Sequence, residues 1–338
     1  MSSEHCVIIG NGPSANEAAL TLRKKAPDLK VTMIGRELER YYRPHLLPNY
    51  IAGKIHDHDL YVNPMNFYHD HDIYLRLGQP VAGVDFDRRE VLLDHKERVK
   101  FDSLILAVGG KPKIPEPLVP FSSLMLTLKT LADARKWTEK LARVDSVLII
   151  GGDLTSLAVT KALISMGKRV SFVLCAEAFW PLRMNEEIRR EAASRLLEYG
   201  VEVLSCRAIK RITRIDDHRV EVQTDDVSVQ PGLVGAFYGL VPDVQFLARS
   251  GLDIERGILV DEYLRTHVPD VYAAGDCAQV YHPDLKDYWV SIGHANATYL
   301  GRIAALNLLG GRVAAEVAPT SIFRVDGINA NVSWWLEF

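Results

Sequence analysis

The chain has 338 residues, of which 48% are hydrophobic and 25% charged, the balance of a globular protein with sizeable cores and room for two domains. Its formal net charge of -3 argues against nucleic acid or an anionic lipid surface as a partner. No apolar run approaches the ~18 residues of a membrane span, and the N-terminus leads directly into an apolar segment without a basic flank, so we expect a cytoplasmic protein.

The N-terminal segment predicts a strand–turn–helix–strand unit. CVIIG (6–10) is a short β-branched run typical of a buried parallel strand. A glycine-rich turn, GNGPSA (10–15), follows it and opens a helical stretch that reaches about Lys25. A second strand, VTMIG (31–35), completes an arrangement that places the pyrophosphate of a nucleotide on the turn.

The residues of this turn suit a dinucleotide. Gly10 permits the tight turn, Gly12 leaves room for phosphates beside the backbone, and Ala15 lets the helix pack closely on the strand. The N-terminus of the helix faces the negative charge of the phosphates. An acid at the end of the second strand should bind the ribose; Gly35 stands there, and Glu37 is the expected substitute. We therefore predict dinucleotide binding, with a purely structural turn as the alternative.

A second unit of the same type lies in the middle of the chain. SVLII (146–150) is again a buried strand, and GGDLTS (151–156) is the turn that follows it. An apolar helix and the strand VSFVL (170–174) complete the unit. Two such units predict one cofactor each.

The C-terminal third returns to strands and turns, among them VYAAGDCA (271–278). A long helix is expected from about Ala295 to Leu309. The domain boundaries are expected in the Gly- and Pro-rich stretches at 106–117 and 239–243.

The cysteines and histidines predict no metal or redox centre. No C-x-x-C or C-x4-C pair occurs, so neither an iron–sulfur cluster nor a redox-active disulfide is predicted. Two HDHD runs, at 56–59 and 69–72, fit the spacing of no familiar metal cage and precede apolar segments, where Asp serves as a cap or turn residue. We expect buried, reduced thiols at Cys6, Cys175, Cys206 and Cys277.

Five segments stand in a recognisable order: GNGPSA, YYRPHLLPNYIAGK (41–54), LILAVGGKP (104–112), GLVPD (239–243) and VYAAGDCA. Further residues follow at matching spacing, namely Trp289, Gly301, Ala304, Ala305, Asn307 and Gly310. From residue 5 to about 312 this pattern resembles the FAD-dependent pyridine nucleotide–disulfide oxidoreductases, in the branch of the NADH:rubredoxin reductases and of the flavin module of NADH-dependent nitrite reductase.

The resemblance implies an α/β protein with two Rossmann-like dinucleotide-binding domains. An FAD domain of residues 1–116 and 241–312 is interrupted by an NAD(P)-type insert, 117–240. In the C-terminal tail, 313–338, the interface domain of the relatives is truncated or absent. Residues 319–338 look like the first strands of such a domain, and Trp334-Trp335-Leu336 either tucks into the body or docks on a partner.

The resemblance also implies FAD as the cofactor. Asp276 fits the acid that binds the ribitol chain, and the helix after it can aim its N-terminal N–H groups at the flavin. Arg43 lies either beside the isoalloxazine or in a surface ion pair. The residues expected to bind FAD are Gly10, Gly12, Pro13, Ser14, Ala15, Glu37, Arg43, Val81, Ala107, Gly109, Gly275 and Asp276.

The insert departs from the family's NAD(P)H fingerprint at four positions. Asp153 and Ser156 stand where the family has glycine, Ala158 replaces an acid near the nicotinamide, and Leu174 replaces the acid that binds the NAD ribose. A charged side chain at position 153 repels a pyrophosphate, and the leucine forfeits a charge-assisted hydrogen bond worth ~1.5–3 kcal/mol. Ordinary NAD(P)H binding is therefore in doubt, unless nearby loops compensate.

The region beside the flavin lacks the cysteine of the disulfide-using relatives. The matching stretch begins at His45 and reads His-Leu-Leu-Pro, so thiol chemistry is not expected. His45 and Arg43 are the candidate catalytic residues, and for His45 the alternatives are a proton donor near the flavin and a structural histidine.

Three functional hypotheses follow. The first is an FAD-dependent oxidoreductase that moves electrons between its flavin and a metal-centre partner, such as an iron–sulfur or rubredoxin-like protein, with ordinary NAD(P)H use in doubt. The second is an NAD(P)H-dependent reductase of a rubredoxin- or ferredoxin-like acceptor. The third is a flavoprotein subunit whose FAD is structural. An oligomer or a complex subunit is expected.

Overall fold

The computed structural model describes residues 4–174, 186–204, 208–284, 286–290, 293–316, 324–325 and 328–329. No helix within these ranges is long and apolar enough to cross a membrane; the cytoplasmic location stays a prediction. Cys175, Cys206 and the terminal Trp334-Trp335-Leu336 lie outside the described residues.

The described strands and helices alternate at residues 5–34 and 131–204, and elsewhere several strands or several helices follow one another. The helices are α1 (Pro13–Lys25), α2 (Leu47–Ile51), α3 (Asp57–Leu60), α4 (Phe67–Asp70), α5 (Leu131–Leu141), α6 (Leu154–Ser165), α7 (Glu186–Glu198) and α8 (His294–Leu308). The strands are β1 (His5–Ile9), β2 (Lys30–Ile34), β3 (Ile73–Arg76), β4 (Val81–Asp85), β5 (Glu90–Leu93), β6 (Arg98–Lys100), β7 (Ser103–Leu106), β8 (Gly110–Pro112), β9 (Ser146–Gly151), β10 (Arg169–Leu174), β11 (Glu202–Leu204), β12 (Ile209–Arg214), β13 (Val220–Thr224), β14 (Ser228–Val229), β15 (Leu233–Phe237), β16 (Leu240–Pro242), β17 (Ile258–Val260), β18 (Val271–Ala273), β19 (Ala278–His282), β20 (Asp287–Val290), β21 (Arg324–Val325) and β22 (Ile328–Asn329).

The described residues form two compact units. The first unit takes them from Met1–Tyr42, Tyr61–Lys111 and Val241–Asn329, and the second from Arg43–Leu60 and Pro112–Leu240. The second unit thus also takes up a short segment that the sequence assigned to the FAD domain. The predicted domain ranges themselves stay a prediction.

The first unit is built on a parallel sheet with the order β18-β7-β1-β2-β3. Its central strands are β-branched or aliphatic runs that are buried on both faces, as a parallel sheet covered by helices requires. Ile9 of β1 lies opposite Leu106 of β7 and Ile34 of β2, so the three strands end at one edge. Two small antiparallel sheets, β4-β5-β6 and β17-β19-β20, belong to the same unit.

Helices α1 and α8 pack against each other in the first unit with almost no space between their backbones. A Cβ added at Gly301 of α8 would lie 2.1 Å from the backbone oxygen of Ser14 in α1. Ala18 and Ala304, which also have small side chains, are fully buried in the same core. This close approach fixes the N-terminal half of α1 over the sheet.

The second unit repeats the parallel arrangement with the order β11-β10-β9-β15. Trp137 of α5 is fully buried, stacks on Phe237 at 6.1 Å between ring centroids, and donates its indole N–H to the Thr127 carbonyl at 3.1 Å. A Cβ at Gly235 would lie 2.7 Å from the Trp137 ring, which is why this position of β15 is glycine. A separate antiparallel sheet, β12-β13-β14, completes the unit.

Candidate functional site

The site of the first unit lies at the carboxyl edge of its parallel sheet. β1, β7 and β18 run parallel and stop together, because Ile9 pairs with Leu106, and Leu106 pairs with Ala273. The chain then continues from these strands into Gly10, Ala107 and Ala274. In open α/β sheets this edge is where ligands bind.

Gly10 and Ala107, two of the residues expected to bind FAD, come together at this edge. Gly10 has a φ of 131°, and a Cβ there would lie 2.1 Å from the Ala107 carbonyl oxygen. No other residue type fits without moving the backbone. Glycine is therefore required at position 10 because the segment that carries Ala107 approaches so closely, in addition to the need of the turn itself.

The N-terminus of α1 carries no side-chain cap. Gly12 is the N-cap residue, Pro13 opens the first turn, and no acidic residue stands there. A Cβ at Gly12 would meet no atom within 4 Å, so there is open space beside this backbone. The free N–H groups of such a helix end suit a phosphate.

Ser14 supplies a hydroxyl at the same helix end. Its Oγ is buried and has no hydrogen-bond partner among the described residues. A buried hydroxyl without a partner is uncommon because desolvating it costs free energy. Ser14 Oγ would lie 3.4 Å from a Cβ at Gly275, so α1 and the turn that carries Asp276 meet here. These features fit a cofactor with a pyrophosphate and a polyol.

A buried polar pair that the sequence did not reveal holds the fingerprint turn in place. The Asn16 side-chain amide donates to the carbonyl oxygens of Asn11 and Gly12, both at 3.0 Å. Tyr68 of α4 donates its hydroxyl to the Asn16 Oδ1 atom at 2.6 Å, and burial raises the pKa of Tyr68. The partners are 52 residues apart, and no local sequence pattern signals such a contact.

Glu37 is half-buried beyond β2, where the ribose acid is expected. Its carboxylate accepts the Tyr42 hydroxyl at 2.7 Å, and its backbone oxygen accepts the Gly78 N–H at 2.9 Å. The side chain is therefore held in one orientation. Its role toward a ribose stays a prediction.

The remaining predicted residues are placed as follows. Val81 is the first residue of β4 and pairs with Leu93, and Gly109 has a φ of 68° and accepts the Asp243 N–H at 3.1 Å. Arg43 and His45 belong to the second unit. Arg43 donates its guanidinium to the Asp59 carbonyl at 3.3 Å. Both their candidate catalytic roles stay predictions.

Tyr41 and His294 form a further polar pair in the first unit. The Tyr41 hydroxyl lies 2.7 Å from His294 Nε2, and the rings are stacked with 12° between their planes. His294 is the first residue of α8, whose N-terminus was expected to face the flavin. Tyr41 lies in the YYRPHLLPNYIAGK motif, whereas no sequence pattern pointed to His294.

The turn after β9 in the second unit has the same backbone geometry as the first. Gly151 has a φ of 143°, and a Cβ there would lie 1.9 Å from the Phe237 carbonyl oxygen. Unlike Gly12, however, the N-cap residue of α6 is Asp153, whose carboxylate accepts the N–H groups of Ser156 at 2.8 Å and Gly239 at 3.0 Å. Burial raises the pKa of Asp153 to about 6.

The other three residues that depart from the family's NAD(P)H fingerprint also lie in the second unit. Ser156 is buried and donates its hydroxyl to the Asp153 carbonyl at 2.5 Å, whereas Ala158 is exposed. Leu174 is the last residue of β10 and is buried. The end of β10 thus presents an apolar side chain where a ribose acid was expected.

Two of the four cysteines are described. Cys6 and Cys277 are buried free thiols, and burial raises their pKa values to about 12 and about 11. The Cys277 thiol donates a hydrogen bond to the Leu106 carbonyl at 3.3 Å. No group of three His, Cys, Asp or Glu residues suited to a metal occurs in the described part of the chain.

The model of one protein family, described as pyridine nucleotide-disulphide oxidoreductase, matches residues 4–297. The chain belongs to this family. Rhodocoxin reductase of Rhodococcus erythropolis is 31% identical over 80% of this chain and 64% of its own length. The nitric oxide reductase FlRd-NAD(+) reductase of Escherichia coli O9:H4 (strain HS) is 29% identical over 82% of this chain and 73% of its own length. A crystal structure of the covalent putidaredoxin reductase–putidaredoxin complex superposes with a TM-score of 0.82 at 25% identity, over 93% of this chain and 77% of that chain.

These matches confirm the predicted family, the two-domain α/β fold class and the assignment to FAD-dependent oxidoreductases. The matched segment spans just under two thirds of rhodocoxin reductase. The electron donor, the acceptor and the reaction of this member of the pyridine nucleotide-disulphide oxidoreductases are therefore matters for proposal.

Proposed function

We propose that the protein transfers electrons between a bound FAD and a partner protein that carries a metal centre, of the iron–sulfur or rubredoxin type. The observation that carries this proposal is the uncapped N-terminus of α1, with the partnerless buried hydroxyl of Ser14 and the open space at Gly12. Relatives named for the reduction of rhodocoxin and of putidaredoxin support the protein acceptor.

The residues of the first unit would hold FAD in a defined orientation. The amides at the start of α1 would bind the pyrophosphate, with Ser14 Oγ as an additional donor. Glu37 would accept from the adenosine ribose and Asp276 from the ribitol chain. The N-terminus of α8, which begins at His294, would stabilise negative charge on the reduced flavin. FAD supplies a centre that takes up two electrons and releases them singly.

Ordinary use of NAD(P)H as the electron donor is not part of this proposal. The carboxylate of Asp153 lies at the helix end where a nucleotide pyrophosphate would bind, and Leu174 replaces a charged ribose partner. Loss of one charge-assisted hydrogen bond weakens binding by ~1.5–3 kcal/mol, which is roughly one to two powers of ten. Electrons are then exchanged with partner proteins on both the donor and the acceptor side.

The second candidate function is an NAD(P)H-driven reductase of a rubredoxin- or ferredoxin-like acceptor. The name of the E. coli relative, nitric oxide reductase FlRd-NAD(+) reductase, favours it. It shares the FAD site with the first proposal and differs from it in the electron donor alone. One titration distinguishes the two.

The test is an anaerobic titration of the FAD-loaded protein, followed at about 450 nm, where oxidised flavin absorbs. Enzyme KM values are about 1 μM–1 mM, so each nucleotide is added to about 1 mM. We expect no bleaching with NADH or NADPH at that concentration, and full bleaching with dithionite. Fast bleaching at micromolar NADH would establish the second candidate instead.

The partner is tested with the reduced protein after excess dithionite has been removed. Oxidised rubredoxin and an oxidised [2Fe–2S] ferredoxin are added separately, and we expect reduction of at least one with two equivalents consumed per FAD. Apoprotein treated identically is the control. If the reduced flavin is reoxidised by neither carrier, or if apoprotein works as well, the proposal is wrong and a structural FAD is the better description.

A further inference from the structure

The two units provide an internal comparison of helix ends. In each, a glycine of positive φ, Gly10 or Gly151, stands at the end of a parallel strand. A Cβ at Gly10 would lie 2.1 Å from the carbonyl oxygen of Ala107, and one at Gly151 would lie 1.9 Å from that of Phe237. A helix of 13 residues follows in the first unit and one of 12 residues in the second. The backbone thus makes the same phosphate-binding turn twice, and the two helices differ in the side chain at the N-cap.

Asp153 fills the helix end that Gly12 leaves open. One carboxylate oxygen accepts the Ser156 N–H at 2.8 Å, and the other accepts the Gly239 N–H at 3.0 Å. Gly239 follows β15, whose last residue, Phe237, accepts the Gly152 N–H with its carbonyl oxygen. The carboxylate therefore joins the start of α6 to the end of the adjacent strand, with both of its oxygens in use.

An ordinary N-cap explains only half of this arrangement. A capping side chain accepts an N–H from the second or third residue of its own helix, as the bond to Ser156 does. The bond to Gly239 comes from a residue 86 positions later and has no part in capping. Two N–H groups aimed at one small anion at the end of a parallel sheet are the donor set by which a nucleotide phosphate is bound.

We propose that Asp153 is an internal anion that occupies the pyrophosphate position of the second unit and so excludes dinucleotides from it. A dinucleotide binds there only after the carboxylate has given up both N–H groups, and the displaced charge then repels the phosphates. This inference rests on the proposed function only in identifying the second unit as the NAD(P)-type insert. It makes Asp153 a specificity-determining residue whose replacement opens the site.

The test uses the full chain with its FAD and a ligand that cannot reduce it, ADP-ribose, which carries the pyrophosphate and both riboses. Binding is measured by isothermal titration calorimetry for the wild type, Asp153→Gly and Asp153→Asn. We expect the wild-type dissociation constant to be above 1 mM, a threshold of ~4 kcal/mol of binding free energy, and Asp153→Gly to bind at least tenfold more tightly. Asp153→Asn should tighten binding less than Asp153→Gly, because its amide oxygen still accepts the Ser156 N–H.

The matched control is Asp145→Asn. Asp145 precedes β9 at the opposite end of the strand, and its side chain is 91% exposed, so the variant removes one charge without freeing an amide. Its affinity for ADP-ribose should equal that of the wild type. The inference fails if the wild type binds at micromolar concentration, if Asp145→Asn matches Asp153→Gly, or if a folded Asp153→Gly is no tighter.

Two further readouts keep the result interpretable. Should Asp153→Gly fail to fold, Asp153→Asn, which keeps the cap, carries the test, and an affinity equal to the wild type overturns the inference. Flavin content is measured on each sample from its visible spectrum. A protein that lacks FAD but gains ADP-ribose binding in Asp153→Gly would refute the proposed function while supporting this inference.

Discussion

Ser14 and Asp153 are polar residues at the N-termini of corresponding helices, and they differ in what they do with their hydrogen bonds. The Ser14 hydroxyl is buried without a described partner, whereas both oxygens of Asp153 accept backbone N–H groups. A buried polar group without a partner costs free energy that a ligand can recover. The first helix end is therefore prepared for a ligand, and the second is satisfied without one.

Ser14→Ala should weaken FAD binding without destabilising the apoprotein. A neutral hydrogen bond contributes ~0.5–1.5 kcal/mol, so the dissociation constant should rise by roughly 2- to 13-fold. Apoprotein stability should be unchanged or slightly higher, because an unsatisfied hydroxyl is removed. FAD titration monitored by flavin fluorescence gives the affinity, with Ser250→Ala, whose hydroxyl bonds to the Leu247 carbonyl, as the control. Tighter FAD binding in Ser14→Ala would contradict this role.

Asp153→Asn should remove a pH dependence from the free energy of unfolding. The pKa of Asp153 is raised from 3.8 to about 6, so the folded state binds the proton more tightly than the unfolded chain. The contribution of this group to stability is therefore full below about pH 4, is lost as the pH rises to about 6, and is constant above. The variant has no titrating group at this position, although its single amide oxygen can accept only one of the two N–H groups. Its stability relative to the wild type should therefore rise by on the order of 1–2 kcal/mol between pH 4 and pH 7.

Denaturant unfolding of both proteins at pH 4, 5, 6 and 7 measures this difference. The difference should shift in favour of Asp153→Asn as the pH rises from 4 and should reach its plateau between pH 6 and 7. Asp145→Asn, which removes an exposed carboxylate, should show no such trend. If the difference between Asp153→Asn and the wild type is independent of pH, folding does not raise the pKa of Asp153.

At the scale of secondary-structure elements, the packing of α1 determines the shape of the FAD site. The helix start is open at Gly12, while its first turn is pressed against Gly301 of α8 and the turn at Gly275. Substitution at the open position and at the closed position should therefore affect different properties. Two glycine-to-alanine variants test this.

Gly12→Ala should reduce FAD affinity and leave the fold nearly intact. The backbone at Gly12 has a φ of -83°, and the new Cβ would meet no protein atom within 4 Å. The apoprotein should therefore lose no more than ~1 kcal/mol, the difference between glycine and alanine at an N-cap. The methyl group occupies the space that phosphates approach, so FAD affinity should fall by at least tenfold. Gly83→Ala, at a comparably open position of β4, should leave both quantities unchanged.

Gly301→Ala should destabilise the apoprotein itself. Its Cβ would lie 2.1 Å from the backbone oxygen of Ser14, and backbone atoms cannot yield as the end of a side chain can. Forced overpacking of this kind costs ~1–3 kcal/mol. Denaturant unfolding of the apoprotein should show that loss, with Gly83→Ala again as the control. Unchanged stability would mean that α8 moves away from α1 without cost.

The sequence predicted the elements more fully than the contacts between them. Predicted strands at 31–35 and 170–174 agree with β2 and β10 to within one residue, because buried parallel strands are continuous apolar runs bounded by turns. The bonds of Asn16 to Tyr68, and of Asp153 to Gly239, join residues 52 and 86 positions apart. Such pairings depend on how the elements pack against each other, and the hydrophobic periodicity of a short sequence segment does not reveal that packing. The sequence thus placed Asp153 where a pyrophosphate would lie but did not reveal its bonds to Ser156 and Gly239.

At the scale of the whole molecule, the two units differ in the N-cap residue of corresponding helices, Gly12 in α1 and Asp153 in α6. The first unit presents an open helix end and the second an occupied one, although both have the same turn geometry. If Asp153 excludes dinucleotides from the second unit as proposed, the electron donor of the flavin is expected to be a protein.

Substitutions in the two units should act additively on the two ligands. Gly12→Ala affects atoms of the first unit and Asp153→Gly atoms of the second, and residues without shared partners combine within ~0.3–0.5 kcal/mol. In the double variant, FAD affinity should fall as in Gly12→Ala alone, and ADP-ribose affinity should rise as in Asp153→Gly alone. Both constants are measured on one preparation, by flavin fluorescence and by calorimetry. A coupling free energy above ~1 kcal/mol would show that one turn controls the other, and the description of the units as separate sites would then fail.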